Sequence, residues 1–199
     1  MKTKIKICGI RSKEEIEVIN KLPIDFIGFL FAPSKRRVSI EEAKILKDKL
    51  NNNIKTVGVF VDESLDTVNK IAHTLSLDAV QLHGEEDEVY ISKVEKNVWK
   101  AYRVDEDFIV ANIIKGKNIT ANIFDGKRPG SGEVFNWQII EKIESNRMKI
   151  LAGGLNPGNI EKAIREVKPD IVDVSSGVEM NNRKNKVLLE DLIRRIQNV

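Results

Sequence analysis

The sequence predicts an α/β fold, a single (β/α)8 barrel of the TIM-barrel class that spans residues 1–199. Short runs rich in Ile, Val and Phe recur eight times, and segments with helical spacing or helix-start signals lie between them. Eight units in 199 residues leave about 25 residues per unit, which is enough for a strand, a helix and short connections.

The eight apolar runs are the predicted strands. They are nearly continuous in apolar residues, which is typical of parallel strands buried on both faces. In chain order the runs read IKIC, FIGFLF, TVGVFV, DAVQL, VWKAYR, ITANIF, MKILA and DIVDV.

Eight helices are predicted between and after these strands. Four of them begin at a capping residue or an N-terminal proline. These signals are Ser12 with Glu15, Ser39 with Glu42, Ser64, and Asn156 with Pro157. The other four helices are expected at EEDEVYISKVEK, DEDFIVANIIKG, NWQIIEKIES and VLLEDLIRRIQ.

Two architectures accommodate alternating strands and helices. A doubly wound open sheet has about five or six strands, whereas eight successive parallel strands close into a barrel. The first predicted strand is also not followed by the G-x-G-x-x-G pattern of a dinucleotide-binding unit. The barrel is therefore the predicted architecture, and its chemistry is expected at the carboxyl ends of the strands.

Composition narrows the functional classes. The 33 basic and 30 acidic residues are spread along the chain and only 6% of residues are aromatic, so no nucleic-acid partner is expected. The chain has one cysteine, strand-like alternation at its N-terminus and no apolar stretch of about 20 residues, so neither a disulfide nor a membrane partner is expected. We expect a cytoplasmic protein, and both a monomer and a homodimer fit the sequence.

Polar residues and glycines stand at the ends of several predicted strands. They are Cys8, Arg36, His83, Asp125, Gly153, Gly154, Ser175, Ser176 and Gly177. Those after strands seven and eight lie in the loops where barrels commonly hold a phosphate with backbone N–H groups. The same glycines also fit tight turns, and a lone cysteine also fits a buried apolar position.

Seven motifs occur in a fixed order over about residues 4–179. They are KIKICGI, SKRRVS, VGVFVDE, VQLHGEE, IFDGKRPGSGEVFNW, LAGGLNPGNI and DVSSGVE. Together they resemble the phosphoribosylanthranilate isomerase family of tryptophan biosynthesis. The resemblance implies a cofactor-free barrel enzyme that converts N-(5-phosphoribosyl)anthranilate into 1-(2-carboxyphenylamino)-1-deoxyribulose 5-phosphate by an Amadori rearrangement.

The resemblance also implies two catalytic residues. Asp125 matches the general acid that protonates the ring oxygen as the ribose opens, a role that requires the protonated carboxyl. Cys8 matches the general base that removes the proton from sugar C2. Cys8 can act as a base only as a thiolate, so we expect positive charge or hydrogen bonds near it to favour its ionisation.

The substrate's own charges suggest the binding residues. Arg36 matches the residue that binds the anthranilate carboxylate in the family, and Arg37 could take this role in its place. The alternative interpretation is that either residue is an ordinary exposed arginine. Backbone N–H groups around Gly154 and Ser176, helped by Gly132, are expected to hold the ribose phosphate. The loop at residues 126–134 is expected to act as a mobile cover.

His83 and Asp173 are predicted to have supporting roles. His83 is expected to make a contact in the site, and Asp173 either meets a ribose hydroxyl or holds the eighth loop. The second histidine, His73, lies within a predicted helix, so no metal site is expected. Two rival functions remain, an aminoaldose isomerase of histidine synthesis and a non-catalytic barrel that binds a phosphosugar. The first is built with an aspartate in place of Cys8, and the second does not need Cys8 and Asp125 together.

Overall fold

A computed structural model of the chain describes residues 2–105, 107–126, 136–141, 143 and 146–199. Eight parallel strands form a closed barrel in chain order, and the last strand pairs with the first. The strands are β1 Lys4–Cys8, β2 Phe26–Leu30, β3 Lys55–Phe60, β4 Ala79–Leu82, β5 Val98–Val104, β6 Ile119–Gly126, β7 Met148–Leu151 and β8 Ile171–Val174. Each strand coincides with a predicted apolar run, so the predicted fold class is confirmed.

Seven α-helices surround the described part of the barrel. They are α1 Lys13–Ile19, α2 Ile40–Lys47, α3 Leu65–Thr74, α4 Glu88–Ser92, α5 Gln138–Glu141, α6 Ile160–Val167 and α7 Lys186–Gln197. The hydroxyls of Ser12, Ser39 and Ser64 accept backbone N–H groups at the starts of α1, α2 and α3, as predicted. At Ser39 both hydrogen bonds of a capping box are present.

The helix predicted at residues 105–116 is absent from the described residues of that segment, which contain one turn of 3-10 helix, Val110–Asn112. The segment carries β-branched side chains at Ile109, Val110, Ile113 and Ile114, which lose side-chain freedom in a helix. Ile109 and Val110 are also exposed, so the segment does not bury an apolar helical face.

Two further helices are shorter than predicted. Helix α4 occupies only Glu88–Ser92 of the predicted residues 85–96. The carboxylate of Glu86 accepts hydrogen bonds from the backbone N–H groups of Asp62 and Gly84, and these bonds keep the start of this segment in a loop. Helix α5 covers Gln138–Glu141 of the predicted residues 136–145, of which residues 142, 144 and 145 lie outside the described part.

Two apolar clusters stabilise the barrel. One fills its interior, where Phe26 and Trp99 pack edge to face with ring centroids 5.1 Å apart. The larger one lies between the outer faces of the strands and the helices. Toward the carboxyl ends of the strands the interior becomes polar, with Lys6, Gln81 and Asp173 all buried. The interior of the barrel is thus apolar at one end and polar at the other.

A short hairpin follows β8 and was not predicted. Its strands β9 Glu179–Met180 and β10 Arg183–Lys184 are joined by Asn181 and Asn182, both with positive φ (52° and 58°), as in a type I′ turn. Across the described ranges of the chain, no helix has the length and hydropathy needed to cross a membrane.

Candidate active site

A pocket of about 270 Å³ opens at the carboxyl ends of the strands. It is lined by residues of several barrel units, as expected for this fold. The predicted residues that line it are Cys8, Arg36, His83, Asp125, Gly153, Gly154, Asp173, Ser175 and Ser176. The pocket also has an apolar side formed by Leu30, Ala32, Val59 and Val61. Gly132 and most of the predicted cover loop lie outside the described residues.

Cys8 ends β1, and part of its surface opens to the pocket. Burial raises the pKa of its thiol, the Lys6 ammonium opposes this rise, and the Asp173 carboxylate adds to it. The positive charge expected beside Cys8 is therefore present, but burial outweighs it and the pKa is raised overall. The Lys6 ammonium thus favours the thiolate as expected, and the net rise of the pKa follows because the cost of burying a charge exceeds the attraction of the cation.

Two residues before Cys8 on β1, Lys6 forms a buried ion pair that joins β1 to β8. The Lys6 ammonium is completely buried and donates a hydrogen bond of 2.6 Å to Oδ2 of Asp173. The other carboxylate oxygen, Oδ1, has no hydrogen-bond partner among the described residues, and Asp173 lines the pocket. Asp173 therefore has one buried oxygen without a partner in the described part of the chain, while Lys6 holds the other.

Asp125 lies near the carboxyl end of β6 and lines the pocket. Its Oδ1 accepts the backbone N–H of Gly126 at 2.8 Å, and its Oδ2 lies 3.4 Å from Nε2 of His83. The amide nitrogen of Gln81 lies 3.0 Å from Nδ1 of His83. With the amide as donor, Nδ1 is the acceptor and the ring proton is on Nε2, facing Asp125. His83 thus lies between Gln81 and the carboxylate.

Arg36 reaches the pocket from the loop after β2 and is already paired. Its Nε and Nη2 donate to the two carboxylate oxygens of Glu179 at 2.8 and 2.7 Å. Lys184 donates to the same carboxylate at 2.7 Å. Although burial raises the pKa of Glu179, these two cations lower it to about 2. Arg37 is exposed and does not line the pocket.

The loops after β7 and β8 close the other side of the pocket. Gly153 and Gly154 have positive φ (86° and 65°), and a Cβ at Gly153 would lie 2.7 Å from Oδ1 of Asp125. Within the described chain, the backbone N–H groups of Gly154 and Ser176 donate to no protein acceptor. Gly177 lies behind the pocket wall, where a Cβ would meet the Leu155 carbonyl oxygen at 1.9 Å. The glycines thus form tight turns, and two N–H groups remain available for a ligand.

Comparison with known proteins identifies the family. A family model described as N-(5'phosphoribosyl)anthranilate (PRA) isomerase matches residues 5–195. Two proteins named N-(5'-phosphoribosyl)anthranilate isomerase, from Thermoanaerobacter sp. (strain X514) and Clostridium kluyveri, are 43% and 42% identical to this chain, and each match covers 98% of both chains. The chain belongs to the phosphoribosylanthranilate isomerase family.

Solved structures of phosphoribosylanthranilate isomerases share this barrel. The crystal structure of the protein from Thermus thermophilus is 32% identical, has a TM-score of 0.90 and covers 98% of this chain and 99% of its own. Another phosphoribosyl anthranilate isomerase, solved in complex with reduced 1-(o-carboxyphenylamino)-1-deoxyribulose 5-phosphate, is 32% identical with a TM-score of 0.86 and covers 99% and 100%. The resemblance inferred from the motifs and the prediction of an isomerase are both confirmed.

Three charged residues at or next to this site were not predicted. Lys6 could have been found, since a lysine two residues before Cys8 in a strand must face the same side of the strand. Glu179 and Lys184 carry no comparable signal, because the hairpin that brings them to Arg36 is only two residues long on each side.

Proposed function

We propose that this chain converts N-(5'-phosphoribosyl)anthranilate into 1-(2-carboxyphenylamino)-1-deoxyribulose 5-phosphate by an Amadori rearrangement without a cofactor. The observation that supports this most directly is that Cys8 and Asp125, from β1 and β6, line one pocket together with the glycine loops after β7 and β8. The relatives are named for this substrate, and the pocket is lined by Asp125 and Cys8, the proposed acid and base, and by the glycine loops proposed to bind the phosphate. The proposed location remains the cytoplasm.

In the first step Asp125 acts as the general acid. The C1–O bond of the ribose breaks, its electron pair goes to the ring oxygen, and the Asp125 carboxyl protonates that oxygen. The anilinic nitrogen forms a double bond to C1, which gives a positively charged Schiff base. His83, whose Nε2 lies 3.4 Å from Oδ2, positions the carboxyl during this transfer.

In the second step the thiolate of Cys8 takes the proton from sugar C2. The electron pair of the C2–H bond forms the C1=C2 bond, and the Schiff-base nitrogen becomes neutral. The resulting enolamine becomes the ketone when its C2 hydroxyl gives a proton to solvent and C1 takes one from solvent. Solvent likewise takes the proton from the Cys8 thiol and returns one to the Asp125 carboxylate, so both groups are restored and the product is an isomer of the substrate. Because the pKa of the Cys8 thiol is raised, we expect turnover to increase with pH until the thiolate predominates.

The substrate's two ends have separate partners in this proposal. The free N–H groups of Gly154 and Ser176 hold the phosphate, and Gly132 remains a predicted contributor. Glu179 occupies Nε and Nη2 of Arg36, which leaves the Nη1 edge for the anthranilate carboxylate. The apolar side of the pocket is suited to the aromatic ring.

Paired substitutions test the assignment of acid and base. Cys8→Ala and Asp125→Asn are each expected to lower kcat by about 10²-fold or more, because each removes a positioned proton-transfer group. Affinity for a reduced product analogue should change little. The fluorescence of the substrate reports turnover, and a titration reports binding.

The matched control is Asp66→Asn, an exposed carboxylate on α3, which should leave kcat unchanged. Near-normal turnover of Cys8→Ala would show that Cys8 is a buried packing residue and not the base. A wild-type protein that binds the analogue without turning over the substrate would instead be a non-catalytic phosphosugar-binding barrel.

A further inference from the structure

Lys6 occupies an unusual position for a lysine. It lies in the middle of β1, its side chain has no exposed surface, and its register partner on β8 is Asp173, which it contacts at 2.6 Å. Burying an ammonium group is costly unless it is paired, and a buried ion pair contributes little stability compared with apolar residues of the same size. Stability alone therefore does not account for this pair.

The Lys6 ammonium and the Cys8 thiol face the same small volume. Both residues point into the barrel from β1, and Gly28 on β2 is the register partner of Cys8. A Cβ at Gly28 would lie 2.8 Å from Sγ of Cys8 and 3.2 Å from Nζ of Lys6. The missing side chain at Gly28 is what allows the thiol and the ammonium to share this space.

Several charged groups face Cys8, and Lys6 has the strongest effect among them. Lys184 of β10 also lowers the pKa of Cys8, and Asp173 of β8 raises it, but the ammonium of Lys6 outweighs each. Arg36 also interacts with the cysteine from the loop after β2. Lys184 and Arg36 are both bound to Glu179, whereas Lys6 is hydrogen-bonded to Asp173 and also interacts with the thiol of Cys8.

We propose that Lys6 is the charge partner of Cys8: its ammonium stabilises the thiolate that takes the C2 proton, and Asp173 holds that ammonium in place. This inference rests on the proposed function. Lys6 itself transfers no proton; it remains an ammonium while the proton moves from C2 to sulfur. The Lys6 ammonium uses only Oδ2 of Asp173, and Oδ1 has no hydrogen-bond partner among the described residues.

The pH dependence of alkylation tests this proposal. The chain has one cysteine, so the reaction with iodoacetamide reports on Cys8 alone. Lys6→Met should move the midpoint of this reaction upward by about one pH unit, so that alkylation near pH 7 slows about tenfold. The rising limb of the kcat profile should move in parallel. If Lys6→Met does not fold, Lys6→Met/Asp173→Asn removes both charges and should shift the midpoint in the same direction.

The matched control is Lys100→Met/Glu86→Gln, which removes another buried lysine–carboxylate pair with a 2.9 Å contact. Its alkylation midpoint should equal that of the wild type. The proposal is overturned if the Lys6 variants keep the wild-type midpoint, if the control shifts as much, or if the midpoint moves without any change in kcat. Failure of the proposed function is seen separately, because the wild type would then not turn over the substrate while its thiol could still be titrated.

Discussion

At the scale of single residues, the site depends on one glycine as much as on its reactive side chains. Gly28 faces Cys8 and Lys6 from the neighbouring strand, with room for no more than a hydrogen. The end of a flexible side chain must therefore move if a methyl group is added there. Because the proposed chemistry needs the sulfur within reach of C2, we expect such a movement to affect turnover more than folding.

Gly28→Ala is expected to fold and to lower kcat by about tenfold or more, because the new methyl group displaces the thiol. Gly58→Ala is the matched control, since its methyl group would press on Leu77 and Phe60, on the helix-facing side of β3. We expect Gly58→Ala to lose stability but to keep kcat. Turnover assays and urea unfolding of both variants measure this, and equal kcat values would contradict the role given to Gly28.

At the scale of elements, the loop between β4 and α4 is held by a buried charge pair rather than by helix. Glu86 accepts backbone N–H groups from Asp62 and Gly84 and pairs with Lys100 at 2.9 Å. The two side chains are only 4% and 2% exposed. This arrangement fixes the residue after His83 and explains why α4 begins later than its sequence pattern predicts.

Lys100→Met should destabilise the protein by about 3–5 kcal/mol, because it leaves the buried Glu86 carboxylate without its cation. Adding Glu86→Gln should recover most of that loss, since a neutral amide needs no counter-charge. Urea unfolding of the single and double variants measures the difference. A double variant as unstable as the single one would show that the pair acts through packing and not through charge.

At the scale of the whole molecule, the hairpin after β8 connects distant parts of the barrel. Glu179 pairs with Arg36 from the loop after β2 and with Lys184 of its own hairpin. The backbone N–H of Lys184 donates to Glu15 of α1 at 3.0 Å. One carboxylate thus joins the beginning and the end of the barrel at the mouth of the pocket.

This connection makes stability depend on pH. The pKa of Glu179 is lowered from its ordinary value of 4.5 to about 2, so the unfolded chain takes up a proton at higher pH than the folded one. The stabilisation is fully present above 4.5 and is lost as the pH falls toward 2. The free energy of unfolding of the wild type should therefore exceed that of Glu179→Gln most clearly near pH 6, and the difference should shrink by about pH 3.

Urea unfolding at several pH values measures this difference. Glu85→Gln, at an exposed position, is the control and should differ little from the wild type at any of them. A difference for Glu179→Gln that stays constant with pH would show that the ion pairs do not supply the stabilisation.

The arrangement of strands and the positions of Cys8 and Asp125 were predictable from the amino-acid order. Apolar runs and the caps at Ser12 and Ser39 are signals within a few neighbouring residues, so they do not depend on the rest of the chain. Closed barrels bring the carboxyl ends of all strands to one face, so residues after those strands were expected to meet.

The charge pairs and the state of the thiol required the folded barrel. Lys6 and Asp173 are 167 residues apart, and Arg36 and Glu179 are 143 apart, so only the closure of β8 onto β1 and the hairpin beyond it bring them together. The pKa of Cys8 is a balance between burial and charges from several elements, and burial is decided by packing rather than by neighbours in sequence. Local patterns predicted most of the residues that line the pocket, and long-range contacts determine which charged groups surround them there.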